Sequence, residues 1–329
     1  MKEIVIATRG SRLALAQTEL VRQGLEKTGV SCKIVTVKTK GDKDRTSALS
    51  IIGGNGLFVR EVETALLDGK ADLAVHSAKD LPVVLADGLT VPCVMKAADS
   101  RDCLVTVKGK PLGEKTVIGT GSARRKAQAR QLFPSASFKE IRGNVDTRLK
   151  KLLDGDYDGI ILAKAGLDRL KSDLSSFDVR VFSLGEMLPA ACQGIIAVEC
   201  RNDDEKVLPL LSKINDEESF RRFSAERYML TLLDADCKEA VGVHSEIDGD
   251  TITVTALYEE KKATASGKVN DYQTVCRNAW EDINEQKSGY FGRSGLWRRT
   301  DYRQGAGSAP ESRRSGVRQP CCAVASFRM

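Results

Sequence analysis

The stretch ADLAVHSAKDLP, residues 71–82, joins an apolar run to a group of chemically active side chains. Ala71 to Val75 has the composition of a buried β-strand. Four polar residues follow that run: His76, Ser77, Lys79 and Asp80. In open α/β folds, ligands bind at the carboxyl ends of the strands, where a carboxylate can accept protons and an ammonium can hold an anion. The alternative is a surface salt pair on a loop, which is common and contributes little to stability.

Strand and helix patterns alternate along residues 1–188 and predict two α/β units in tandem, each with a mostly parallel sheet. The first unit has predicted strands at Ile4–Thr8, Cys32–Val37 and Leu73–Val75 and predicted helices at Arg12–Lys27 and Phe58–Leu67. The second has predicted strands at Thr116–Gly119, Phe138–Ile141 and Gly159–Ala163 and predicted helices at Ser122–Leu132, Asp146–Leu153 and Ala165–Leu170. Asp146 is expected to cap its helix.

The next part of the chain predicts a smaller α+β unit. Residues 214–230 have the pattern of an amphipathic helix. Ser245–Ile247 and Thr251–Leu257 flank the turn residues 248–250 and predict a hairpin. A closing helix is expected at Asp271–Asn284.

The composition changes at residue 288, after which Gly, Ser and Arg dominate and no periodic pattern continues. This tail, residues 288–329, is predicted to be disordered. A second hypothesis is that it is an out-of-frame reading of a fused or adjacent gene, because shifting the frame by one nucleotide permits a Gly-rich stretch. Its eight arginines and two acidic residues give the tail a net charge of +6, which is the net charge of the whole chain. The rest of the chain is balanced and gives no support for nucleic-acid binding.

Cysteine usage and hydropathy exclude several classes of protein. None of the nine cysteines forms a Cys-x-x-Cys pair or a Cys/His cluster with zinc spacing, so no metal site is predicted. No apolar run reaches the roughly 18 residues of a membrane span, and the first residues lack the apolar core of a signal peptide. We therefore expect a cytoplasmic protein with reduced thiols. No large apolar stripe is evident, and a monomer is expected.

Arginines recur where a predicted strand gives way to a helix. Three Gly/Ser-rich junctions carry them: Arg9 with Ser11, then Arg124 and Arg125 with Thr120 and Ser122, then Arg142 and Arg148. Helix N-termini favour anions, and arginine binds carboxylates through two N–H groups. A single arginine of this kind is more often a solvated helix residue. Three such junctions together predict a cleft for a polycarboxylate ligand.

Two further segments leave alternatives open. Residues 53–58, GGNGLF, lack the G-K-[ST] of a P-loop and form either a mobile loop anchored by Phe58 or a flap over a site. Cys237 lies in a polar segment between acidic residues and a lysine. Acidic neighbours raise the pKa of a thiol, which argues against a fast nucleophile but leaves a role as an attachment point open.

Together these segments resemble the porphobilinogen deaminases, also called hydroxymethylbilane synthases. Seven motifs occur in the family's order: IATRGSRLALAQ, GGNGLFVREVE, ADLAVHSAKDLP, GTGSARRKAQ, IRGNVDTRL, LPAACQGIIAVECR and CKEAVG. The resemblance implies two α/β lobes of the type II periplasmic-binding fold and a small α+β C-terminal domain. The implied boundaries are residues 1–94 with 189–211, residues 95–188, and residues 212–287.

The resemblance also implies a reaction and the residues that perform it. Porphobilinogen molecules lose ammonia and join into hydroxymethylbilane, for tetrapyrrole biosynthesis, on a dipyrromethane cofactor attached to Cys237 by a thioether. Asp80 matches the catalytic carboxylate. The cofactor-binding positions match Ser77, Lys79, Thr120, Ser122, Arg124, Arg125 and Gly143. The substrate-binding positions match Arg9, Ser11, Phe58, Arg142, Arg148 and Gln193.

The chain departs from the family pattern in two places. Asn55 replaces a lysine of the Gly-rich segment, and Ala235 and Asp236 precede Cys237 where glycines are common. One alternative function is a non-catalytic two-lobed anion-binding protein, which would need neither Cys237 nor a third domain. The other is a nucleic-acid-binding protein that uses the Arg-rich tail.

Overall fold

The computed structural model describes residues 3–37, 59–235 and 239–288. Outside these residues lie the Gly-rich segment 53–58 with Asn55 and Phe58, the pair Asp236 and Cys237, and the tail from residue 289. The described residues form three β-sheets, two of five strands and one of three. None of their helices is long and apolar enough to cross a membrane.

The first lobe is a five-stranded sheet with helices on both faces. Its strands are β1 (Ile4–Arg9), β2 (Cys32–Val37), β3 (Leu73–Ser77), β4 (Leu89–Val94) and β10 (Ile196–Arg201), in the order β2-β1-β3-β10-β4. Its helices are α1 (Arg12–Glu26), α2 (Arg60–Leu67) and α6 (Leu208–Ser212). Neighbouring residues of a strand point to opposite faces. Ile6 therefore packs in the cluster of Leu25 from α1, whereas Ala7 packs in the cluster of Leu66 from α2.

The second lobe repeats this arrangement. Its strands are β5 (Asp102–Val107), β6 (Val117–Gly119), β7 (Ser137–Lys139), β8 (Gly159–Ala163) and β9 (Phe177–Val181), in the order β7-β6-β8-β5-β9. Its helices are α3 (Ala123–Leu132), α4 (Val145–Leu153) and α5 (Lys164–Leu170). In each lobe one strand is antiparallel to both neighbours, β10 in the first and β5 in the second. Each of these strands follows a segment that crosses between the lobes, which is the type II periplasmic-binding topology. The predicted fold class is confirmed.

The third unit packs two helices against a three-stranded antiparallel sheet. Its elements are α7 (Glu217–Leu233), β11 (Gly242–Asp248), β12 (Thr251–Tyr258), β13 (Lys261–Lys268) and α8 (Tyr272–Ser288). Along β12, Ile252 and Val254 are buried in the core with Met229 of α7, while Thr253 and Thr255 lie on the other face. The domain boundaries and the monomeric state expected from the sequence stay predictions.

Several element predictions need correction. Four strands, β4, β5, β9 and β13, were not predicted from the sequence. The N-cap of α4 is Asn144 and not Asp146, which lies in the first turn and forms an ion pair of 2.8 Å with Arg12 of α1. The helix predicted at residues 214–230 begins later, because the Asp216 side chain accepts a hydrogen bond from the backbone N–H of Ser219 and caps α7.

The two crossing segments, residues 95–101 and 182–195, touch at a glycine. Gly194 has a φ of +90°, and a Cβ added there would lie 2.6 Å from the carbonyl oxygen of Ala98. The backbone N–H of Ala98 donates to the Gly194 carbonyl over 3.1 Å. Glycine is needed here for its conformation and for the close approach of the two crossings.

We expect Gly194→Ala to lower the free energy of unfolding by about 3 to 5 kcal/mol, because backbone strain and a backbone clash add together. Gly29→Ala is the matched control, since Gly29 has a φ of +88° but nothing within 4 Å of an added Cβ. Its expected loss is about 1 kcal/mol. Urea denaturation measures both variants, and equal losses would contradict the proposed clash.

Candidate functional site

Asp80 lies on a short, firmly attached segment at the end of β3. Ala78–Asp80 form a single 3₁₀ turn directly after the strand. The backbone N–H of Ala78 donates to the carbonyl of Ile195 over 3.0 Å, and Leu81 is buried. Asp80 itself is exposed. The fold therefore places a solvent-facing carboxylate at the carboxyl end of a central strand.

Two adjoining cavities gather predicted site residues from separate parts of the sequence. They share a wall formed by Leu13, Gln17 and Ser77. The first cavity is also lined by Arg9, Ser11, His76 and Asp80. The second is also lined by Lys79, Gln193 and Arg169 and by Ala165 and Gly166 of α5. Because α1 and α5 both line it, the second cavity lies between the lobes.

The first arginine junction is organised by the start of α1. Ser11 is the N-cap, and its hydroxyl accepts a hydrogen bond from the backbone N–H of Ala14 over 3.2 Å. The Ser77 hydroxyl donates a hydrogen bond of 3.1 Å to Oε1 of the buried Gln17 amide. This contact ties the end of β3 to α1 and fixes the wall between the cavities.

Asp102, which the sequence analysis missed, is the centre of a buried ionic network. Its carboxylate is completely buried and lies 2.7 Å from Nη1 of Arg124 and 2.8 Å from Nη2 of Arg125. It also accepts a hydrogen bond of 2.9 Å from Nε2 of Gln193. Burial alone would raise the pKa of Asp102, but the two guanidinium groups outweigh it and hold the pKa well below its usual value.

Arg124 and Arg125 are buried and bound within the protein rather than solvated. Arg124 donates to the carbonyl of Leu188 over 2.6 Å, and Arg125 donates to the carbonyl of Ile161 over 3.0 Å. Burial lowers the pKa of Arg124. The alternative of solvated helix residues is therefore wrong for this pair. Their role toward a cofactor stays a prediction.

Gln193 joins Lys79 to this network. Its Oε1 accepts from Nζ of Lys79 over 3.2 Å, and its Nε2 donates to the carbonyl of Ser100 over 2.6 Å and to Asp102. Burial and the nearby Arg125 lower the pKa of Lys79 to about 8. The lysine beside Asp80 is thus connected through one amide to the arginines at the start of α3.

The second and third junctions adopt compact local structures. Thr120 accepts a hydrogen bond from the backbone N–H of Ser122 over 3.3 Å, and Ser122 caps α3. Gly143 has a φ of +107°, and its carbonyl accepts from Nε of Arg148 over 2.8 Å. Arg142 forms an ion pair of 2.8 Å with Glu140.

Arg148 links the third junction electrostatically to the other groups. Burial and the charge of Arg125 lower the pKa of Arg148 to about 10, and the carboxylate of Asp80 acts in the opposite direction. The charges of Arg125 and Asp80 therefore both act on Arg148 of the third junction, whereas a cleft shared by all three arginine junctions stays a prediction.

Two more polar residues of the site, Arg169 and Gln17, were not found from the sequence, because each occupies a regular position on a predicted helix. Arg169 of α5 lines the inter-lobe cavity and donates to the carbonyl of Gly194. Gln17 forms part of both cavities. For His76, which the sequence had indicated, the imidazole Nε2 lies 3.0 Å from Oε2 of the buried Glu199 on β10. Among the described residues, no group of three His, Cys, Asp or Glu side chains is arranged to hold a metal ion.

Comparisons with known proteins identify the family. A family model described as "Porphobilinogen deaminase, dipyromethane cofactor binding domain" matches residues 4–209. Porphobilinogen deaminase of Macrococcus caseolyticus is 41% identical over 278 residues, which cover 81% of this chain and 90% of its own. That of Geobacillus kaustophilus is 42% identical over 303 residues, which cover 87% of this chain and 95% of its own. The chain belongs to the porphobilinogen deaminase family.

Membership of the porphobilinogen deaminase family confirms the resemblance drawn from the seven motifs. The matched domain is the one that binds the family's dipyrromethane cofactor. It includes β3 with Asp80, the start of α3 and the crossing segment with Gln193. The individual residue assignments stay predictions.

We expect Asp102→Asn to lower the free energy of unfolding by about 3 to 5 kcal/mol, because it leaves two buried guanidinium groups without their carboxylate. Asp99→Asn is the control, since Asp99 forms a surface pair with Arg101. Its expected loss is below about 1 kcal/mol. Chemical denaturation gives both values, and a loss for Asp102→Asn no larger than for the control would contradict the central role of the network.

Proposed function

We propose that this chain is a transferase that joins porphobilinogen molecules, with loss of ammonia, into hydroxymethylbilane for tetrapyrrole biosynthesis. Family membership over most of the chain supports this activity. The observation that carries the proposal is the exposed Asp80 carboxylate, which shares a cavity with Arg9 and Ser11 and is followed along the cleft by Lys79. That cavity combines a group for cation stabilisation with groups for carboxylate binding.

The described residues fit a dipyrromethane cofactor, whose pyrroles carry carboxylate side chains. Three buried or partly buried cations, Lys79, Arg124 and Arg125, lie near two carboxylates, Asp102 and Asp80, so positive charge is in excess. A bound carboxylate would balance it. Ser77, Thr120, Ser122 and Gly143 would supply neighbouring donors and backbone room. The attachment to Cys237 rests on the family motif, because that residue lies outside the described part of the chain.

Asp80 is the proposed catalytic residue. Loss of ammonia from the substrate leaves a cationic electrophile, which a fixed carboxylate stabilises. When the attacking pyrrole carbon forms the new bond and loses its hydrogen, the same carboxylate can accept that proton. The bound cofactor supplies the pyrrole to which substrates are added.

The remaining arginines are proposed to hold substrate carboxylates. Arg9 and Ser11 lie in the cavity of Asp80. Nη2 of Arg142 is buried and has no hydrogen-bond partner among the described residues, and a ligand carboxylate would satisfy it. Arg148 and Gln193 complete this set, together with Phe58, which lies outside the described residues.

The test is turnover of porphobilinogen by the purified chain. We expect Asp80→Asn to lower kcat by at least about 100-fold, since it removes the charge that stabilises the cation. Asp87→Asn is the matched control, because Asp87 is exposed, follows Asp80 by one loop and lines neither cavity. Near-full activity of Asp80→Asn, in a folded protein, would contradict the proposal and favour a non-catalytic anion-binding protein.

A second prediction concerns pH. Lys79 is protonated below its pKa of about 8 and neutral above it, so its attraction for ligand carboxylates is lost as the pH rises through that value. We expect cofactor-free protein incubated with porphobilinogen to acquire its cofactor several-fold more slowly across this range. Lys79→Arg should flatten the profile, because a guanidinium keeps its charge. An identical slowing in both proteins would show that another group titrates.

A further inference from the structure

We propose that Arg227 of α7, in the third unit, is a positioning residue for Asp80. This inference rests on the proposed function, since it concerns how the catalytic carboxylate is held. Nη2 of Arg227 donates to the carbonyl of Pro82 over 2.7 Å and to the carbonyl of Val83 over 2.7 Å. These two residues follow Asp80 almost directly in the chain, although Arg227 lies about 145 positions away.

The hydrogen bonds of Arg227 fix a segment that ordinary backbone pairing leaves unsupported. Pro82 has no N–H, and neither it nor Val83 belongs to a strand or helix. Their carbonyl oxygens still need donors when water is partly excluded. A charged guanidinium donates stronger hydrogen bonds than a neutral group does. One side chain therefore sets the path of the backbone just after the catalytic residue.

Asp80 lies between two attachments of different origin. Before it, the N–H of Ala78 is held by Ile195 of the crossing segment. After it, Leu81 is buried in the same hydrophobic cluster as Met229 of α7, and Arg227 then holds the two carbonyls. The position of the exposed carboxylate therefore depends on the attachments before and after it in the chain. Arg227 provides the polar part of the second attachment.

Arg227 is itself oriented by the helix that carries it. Its guanidinium carbon lies 5.5 Å from the ring centroid of Phe223, one turn earlier on α7, in a cation–π contact. The same helix begins at the capping residue Asp216 and ends at Leu233, four residues before Cys237 in the sequence. A single rigid element thus bears the group that holds the Asp80 segment and leads to the proposed cofactor residue. We infer that Arg227 fixes the position of the catalytic carboxylate relative to the third unit.

The experiment compares three substitutions in the full chain carrying its cofactor. Arg227→Met keeps the apolar stem and removes the donors, whereas Arg227→Lys keeps a charge and part of the donor capacity. Arg221→Met is the control, because Arg221 is on the same helix and pairs at the surface with Glu217 over 3.1 Å. The readouts are kcat, KM and hydrogen exchange of the amides in residues 78–85.

We expect Arg227→Met to lower kcat by about 10-fold or more, with KM changed by less than about 2-fold, because a misplaced carboxylate weakens transition-state stabilisation more than substrate binding. Residues 78–85 should exchange faster, and Arg227→Lys should restore part of kcat. Arg221→Met should match the wild type in all three readouts.

Each other outcome has a definite meaning. Equal kcat values for Arg227→Met and Arg221→Met would overturn the positioning role, even if hydrogen exchange were faster. If Arg227→Met fails to fold, Arg227→Gln decides, because its shorter, uncharged side chain cannot hold both carbonyls: a wild-type kcat overturns the inference, and a lowered kcat with unchanged KM and melting temperature supports it. An inactive wild-type holoprotein would contradict the proposed function instead.

Discussion

The buried carboxylate of Asp102 imposes the main constraint on this structure. A fully buried charge is tolerated only when opposite charges and hydrogen-bond donors surround it, and Arg124, Arg125 and Gln193 do so here. Asp102 directly follows the first crossing between the lobes, and Gln193 lies in the second. Pairing them therefore fixes both crossings against the start of α3. The Lys79 ammonium donates a hydrogen bond to the same Gln193 amide and is positioned by it.

The third unit completes the hydrogen bonds of these crossings. Backbone N–H groups of the crossing segments donate to side chains of the third unit. That of Ala97 donates to Ser219 over 2.8 Å, and that of Cys192 donates to Glu226 over 2.5 Å. Burial raises the pKa of Glu226, while the charge of Arg222 and the hydrogen bond from Cys192 favour its charged form. Buried backbone groups need such partners. The small unit thus supports the place where both lobes and the Asp80 segment meet.

Much of the fold could be predicted because its strands and helices have clear local patterns. The predicted strands Cys32–Val37 and Gly159–Ala163 agree with β2 and β8 at both ends. β4 was missed because it contains Pro92, which weakens a strand pattern and is tolerated in a strand at the sheet edge. The order of the strands could not be predicted from local patterns, since β10 inserts between β3 and β4 from more than 100 residues away.

The site could be predicted less completely. The motifs identified Asp80 and the arginine junctions, because Gly, Ser and Arg at strand ends form a local pattern. Asp102 had no such pattern, since an acidic residue before an apolar run resembles any surface charge. Its burial results from tertiary packing against α3 and the second crossing. Arg227 was missed for the same reason, because its carbonyl partners lie in a distant part of the chain.

The most direct test of the central claim, that this chain extends pyrroles on a cofactor attached to Cys237, is intact-protein mass spectrometry followed by peptide mapping. We expect an added mass of two linked pyrrole units on the peptide that contains Cys237. We also expect cofactor-free protein to gain this adduct slowly when incubated with porphobilinogen. An unmodified Cys237 that gains nothing under that incubation would contradict the claim.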